Sequence, residues 1–142
     1  GPLERQVAIR PFREDDEARL FSLARSVFGE RADWRDRRTL DVLERDVVFV
    51  AEVRGTTAGY AALERGDDSV CIEHMLVSPD HDDQHVEIQL LAYAEGYAFS
   101  VGARALHAVV EPDNGRAIAF YRQRGFVPVG RDLLELVLPQ RP

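Results

Sequence analysis

The sequence predicts a single α/β (α+β) domain in the order β-α-α-β-β-β-α-β-α-β-β. Two observations carry that prediction. The chain has 142 residues, which suits one globular domain with a buried core. Its apolar spacing alternates between strand-like runs and helical repeats, with Gly, Pro and Asp at the changes.

Val7 to Ile9 read as a short strand, broken by Arg10-Pro11. Asp15 and Asp16 offer caps for a helix with Leu20, Leu23, Ala24, Val27 and Phe28 on one side, stopped by Gly29. Asp33 opens a second helix with Trp34, Leu40 and Leu43 as its apolar side. Val47 to Val53 form a strand, and Arg54-Gly55 a turn. Ala58 to Leu63 return as its hairpin partner, Gly66-Asp67-Asp68 turn again, and Ser69 to Val77 make the third consecutive strand. From Val86 the period is helical, with Leu90, Leu91, Ala94, Tyr97, Ala98 and Val101 on one face and Gly102 as the stop. Ala105 to Val110 are a strand. Pro112-Asp113-Asn114 start a helix carrying Ile118, Phe120 and Tyr121, which ends at Gly125. Phe126 to Val129 and Leu133 to Leu138 close as two strands.

Composition narrows the function classes. The chain is 45% apolar and 30% charged, with a net charge of −7, which argues against non-specific nucleic-acid binding. Every basic residue is Arg, so a catalytic lysine, a Schiff base and a phosphate-loop lysine are excluded. No apolar run approaches the ~18 residues of a spanning helix, so no membrane partner is expected. A lone Cys71 allows no internal disulfide and points to a reducing, cytoplasmic setting. Gly1 to Glu4 read as the remnant of an expression tag, with the domain running from residue 5 to 142.

The segment Val110, Asn114, Ala117, Phe120, Tyr121, Gly125, Phe126 resembles a motif of the GCN5-related N-acetyltransferase (GNAT) family, with every spacing kept. Leu76-Val77-x-Pro79, followed by Leu90-Leu91, is similar as well, and Asp15 and the Gly55/Gly59 hairpin fit. The resemblance runs from Val7 to Leu138. It implies a single mixed, mostly antiparallel sheet of about seven strands flanked by about four helices. It also implies acetyl transfer from acetyl-coenzyme A to a small-molecule or protein amine.

In the family, the cofactor's pyrophosphate sits on a loop written Arg-Gly-x-Gly-x-Gly at a helix start, where unpaired N–H groups and the dipole favour anions. The corresponding stretch here is Asp82-Asp83-Gln84-His85-Val86-Glu87. Acidic residues replace the arginine and two of the glycines, and His85 replaces the third. Glu87 shares a helix face with Leu91, Ala94 and Ala98. A like-charge contact at ~4 Å and an effective dielectric of ~20 costs up to ~4 kcal/mol before screening. Coenzyme A binding is therefore expected to be weakened or lost. The alternative reading is an inactive GNAT-like module that binds a protein or small ligand, its acidic Asp80 to Glu87 segment suited to a basic partner.

The resemblance also implies site residues. Tyr121 is placed as the general acid that protonates the departing thiolate, or else is a core aromatic. Glu73 is the preferred general base, read as sharing a strand face with Met75 and Val77. His74 is read as pointing the other way and is the alternative base. Backbone amides of Leu76 and Val77 are expected to bind the acetyl carbonyl, and Gln84, His85, Val86 and Glu87 to meet the pyrophosphate. Asn114 is placed near the pantetheine arm or at a helix start. No metal is expected: His81 and His85 straddle a loop junction with no spacing that enforces a metal geometry. Cys71 reads as a core thiol.

Overall fold

The computed structural model describes residues 7–28, 33–81 and 85–140. The proposed tag remnant, the stop at Gly29, the Trp34 side chain and the loop residues Asp82, Asp83 and Gln84 lie outside the described residues.

All eleven expected elements form. They are β1 (Val7–Pro11), α1 (Glu17–Phe28), α2 (Asp33–Arg45), β2 (Val47–Val53), β3 (Thr56–Arg65), β4 (Ser69–Val77), α3 (His85–Ser100), β5 (Ala105–Val109), α4 (Gly115–Gln123), β6 (Val127–Pro128) and β7 (Leu133–Val137). Single 3₁₀ turns at Glu14–Asp16 and Pro79–His81 precede α1 and α3. The strands make one sheet in the order β1-β2-β3-β4-β5-β7-β6, antiparallel throughout except for the β4–β5 pair. β3 outruns its apolar stretch, Ala58 to Leu63, because ladders on both sides carry its polar ends. β6 is shorter than expected, and only Val127 and Pro128 pair with β7.

The helices cover both faces. Leu20 and Ala24 of α1 and Val42 and Leu43 of α2 pack on Val48, Val50, Tyr60, Ala62 and Leu76. On the other face, Leu90, Leu91, Ala94 and Ala98 of α3, with Phe120 and Tyr121 of α4, pack on Leu63, Val70, Ile72, Leu106 and Ala108. Each Val, Leu, Ile or Phe among them taken from water contributes roughly 1.5–3 kcal/mol.

Asp16, expected as a cap, is also buried and ties α1 to the sheet. Arg10 of β1 grips both its oxygens at 2.7 and 2.8 Å, while the Arg13 amide and Arg19 donate at 2.8 and 3.0 Å. The Arg10 hydrogen bonds hold its carboxyl well below the usual carboxylate range. Among the described residues no helix is long and apolar enough to cross a membrane.

Candidate active site

The site begins where two strands part. The parallel β4–β5 ladder runs from Ser69/Ala105 to Ile72/Ala108 and stops. At that level β4 also changes register against β3: Ala62 pairs with His74 and Leu63 with Ile72, leaving Glu73 unpaired in a bulge. A bulge adds one residue to one strand and reverses the alternation beyond it. Val70 and Ile72 therefore face α3, and so do Met75 and Val77, whereas Leu76 faces α1.

This corrects the expected facing of Glu73. Glu73 does not share a face with Met75 and Val77; it turns towards α2, where Arg45 Nη2 lies at 2.9 Å and Arg38 Nη2 at 3.4 Å. His74 points away from Met75 and Val77 as expected, so Glu73 and His74 lie on one side. Its Nδ1 lies 3.0 Å from Tyr60 Oη, and the Phe28 ring approaches edge-on with centroids 5.6 Å apart. Desolvation, helped by Arg38, lowers His74 to about 4.

Beyond the divergence lies a cleft of about 440 Å³, lined by Arg38, Glu73, His74, Met75, Leu76, Val110, Glu111, Asp113, Asn114 and Tyr121 among others. A second lobe of about 360 Å³ shares Met75, Leu76, Asn114 and Tyr121 and runs on past Val77, Pro79 and Glu87 to Arg116. Tyr121 stands at the junction of the two. Its ring packs against Phe120 and Phe126, and its hydroxyl donates to Met75 Sδ at 3.9 Å. Burial first, and the Glu87 carboxylate second, push the phenol above its usual value, so it keeps its proton.

The far lobe is lined by an ion pair. Glu87, in the first turn of α3, is buried alongside Val86, and its Oε1 accepts from Arg116 Nη2 at 3.0 Å. Arg116 stands in the first turn of α4, so this ion pair joins two helix starts across the cleft. Asn114 caps α4, its Oδ1 accepting from the Ala117 amide at 3.2 Å, and also lines both lobes. The helix-start reading of Asn114 therefore holds. Of the expected loop ligands, His85, Val86 and Glu87 are on α3, and Gln84 is outside the described residues.

A family model for the acetyltransferase (GNAT) family matches residues 10–126. The chain belongs to that family. Among curated proteins, none matches it in sequence. The GNAT fold is shared with Ard1 from Thermoplasma volcanium, at TM-score 0.82 and 17% identity over 95% of this chain and 99% of that one. The PaiA N-acetyltransferase from Thermoplasma acidophilum, solved with coenzyme A, superposes at 0.77 with 19% identity, covering 92% and 98%. The ribosomal-protein-S18-alanine N-acetyltransferase from Escherichia coli does so at 0.78 with 20% identity, covering 94% of each chain.

Within this GNAT domain, three residues at the site escaped the sequence reading. Arg38 and Arg45 carry no motif, and only the packing of α2 on β4 brings them to Glu73. Arg116 did carry a signal, since it stands two residues after the motif Asn114 at a helix start. Asp46, Glu64 and Glu73 bring carboxylate oxygens within 4.8 Å of one another. Arg45 lies among them, at 3.3 Å from Asp46, 3.6 Å from Glu64 and 2.9 Å from Glu73. Among the described residues His81 and His85 join no such group. Cys71 is half-buried beside this cluster, and burial, then Glu73, pushes its thiol up to about 12, where it is not a nucleophile.

Proposed function

We propose that this GNAT domain transfers an acetyl group from acetyl-coenzyme A to an amine, and that its acidic helix start makes it a weak binder of that cofactor. The observation that carries the proposal is the cleft between β4 and β5, with the protonated Tyr121 hydroxyl at its junction. The cleft fits the cofactor's slender arm: past Ile72, β4 has no ladder to β5, and Met75, Val77, Pro79 and Ala117 line the space. Leu76 and Val77 would hold the arm and the acyl carbonyl through their backbones, Asn114 would flank it, and the start of α3 would meet the pyrophosphate. The cofactor supplies an activated acyl thioester. Glu73 takes the proton from the amine through a water, since both its oxygens are engaged with Arg45 and Arg38. Tyr121 Oη gives its proton to the leaving sulfur. Glu87 repels the pyrophosphate, and Arg116 offsets part of that repulsion.

The Glu87–Arg116 pair also favours a second reading, in which the cleft is closed by its own side chains and the acidic surface binds a basic partner. Thermal melts with acetyl-coenzyme A separate the two, because a ligand of the native state raises the midpoint. The first reading predicts a rise at millimolar cofactor, together with free thiol released when amines are added. No rise and no thiol release would leave the second. The lone cysteine and acidic charge support a cytoplasmic setting without nucleic-acid partners.

A further inference from the structure

One buried group in the cleft has no part in this chemistry. His74 is 7% exposed, lines the cleft beside Arg38 and Glu73, and places Nδ1 3.0 Å from Tyr60 Oη. A neutral imidazole has one donor and one acceptor nitrogen, and a phenol has one donor hydrogen. Tyr60 is fully buried, and among the described residues its hydroxyl has no other hydrogen-bond partner. With hydrogen on Nδ1, the Tyr60 proton would be buried without an acceptor, which is costly. With Tyr60 donating, both groups are satisfied and the ring hydrogen must sit on Nε2. Burial keeps the ring neutral, in keeping with its lowering to about 4.

We infer that Tyr60 locks His74 as a hydrogen-bond donor through Nε2–H, and that this donor selects acceptor amines bearing a neutral carbonyl oxygen. Nε2 is on the ring edge away from Tyr60, and His74 is one of the residues that line the cleft. A nitrogen that carries hydrogen is not a base, so His74 is a positioning residue. The preference for a neutral oxygen follows from charge. Glu73, Glu111 and Asp113 line the same space, with Arg38 and Arg45 held on Glu73; the balance is one negative charge, which favours an ammonium and disfavours a substrate carboxylate. A site built to bond an oxygen also discriminates against an amine that lacks one. An α-amino amide meets both conditions. The acceptor's identity rests on the acetyl-transfer reading; the tautomer does not.

The test is histidine-ring ¹⁵N spectroscopy of the intact labelled chain, with His74→Gln identifying the resonance among the four histidines. The expected spectrum shows a bare Nδ1 and a protonated Nε2, unchanged between pH 8 and pH 5.5. Titration with glycinamide moves the Nε2–H signal to saturation, ethylamine leaves it in place, and glycine moves it only at several-fold higher concentration. Hydrogen on Nδ1 would overturn the lock. Equal responses to glycinamide and ethylamine, or to glycinamide and glycine, or no response to glycinamide, would overturn the selection. None of these readouts needs turnover, so a failure of acetyl transfer would be seen separately.

Discussion

Tyr121 separates a structural from a chemical role at a single oxygen. Its ring is held by Phe120 and Phe126, whereas among the described residues its hydroxyl makes only the long contact to Met75 Sδ. Tyr121→Phe should therefore cost less than about 1 kcal/mol of stability. If Oη is the proton donor, the same change lowers acetyl-transfer kcat by roughly 10² or more. Melting and turnover measured on the one variant check both halves; an unchanged kcat would return Tyr121 to the core. His74 makes a second prediction at this scale. Its folded value of about 4 lies below the ordinary 6.5, so the unfolded chain binds the proton first. The stability it contributes is complete above pH 6.5 and is lost as pH falls towards 4, by up to about 3 kcal/mol. Asp16, held low by Arg10, adds its own loss at still lower pH. Urea unfolding between pH 7 and pH 4.5 should show this slope in the native chain and a flatter one in His74→Gln.

Elements were legible in the sequence wherever a period and its punctuation agreed. β4 matched residue for residue, and α3 and α4 began within a residue of the expected place. The bulge at Glu73 was hidden, because register is a relation between two strands and neither strand's pattern records it. The facing of Glu73 was misread for that reason alone, and the roles of Arg38 and Arg45 went unseen with it. Gly59 shows how tightly this part of the sheet is built. A Cβ there would lie 2.4 Å from the Leu76 carbonyl oxygen and 3.2 Å from Val77 Cα, both backbone atoms that cannot swing aside. Gly59→Ala is expected to destabilise by roughly 1–3 kcal/mol and to weaken cofactor binding, since Leu76 and Val77 form the cleft wall. Gly96→Ala is the control. It has open space on α3 and should stabilise by up to about 1 kcal/mol. Urea midpoints of both variants check the contrast.

At the scale of the whole molecule, a fold shared with acetyltransferases meets a charge distribution that opposes an anionic cofactor. The net charge is −7, and Asp82, Asp83 and Glu87 fall in the stretch proposed to meet the pyrophosphate. Arg116, bound to Glu87 at 3.0 Å, is the compensating charge the structure offers. The most direct measurement is calorimetric titration of acetyl-coenzyme A into the native chain and into a variant carrying Asp82→Arg, Asp83→Gly, His85→Gly and Glu87→Gly. Weak but measurable binding by the native chain is expected, with the variant tighter by at least about tenfold, the effect of one screened charge contact. Equal affinity in the two proteins, or binding by neither, would contradict a working cleft restrained by its acidic helix start.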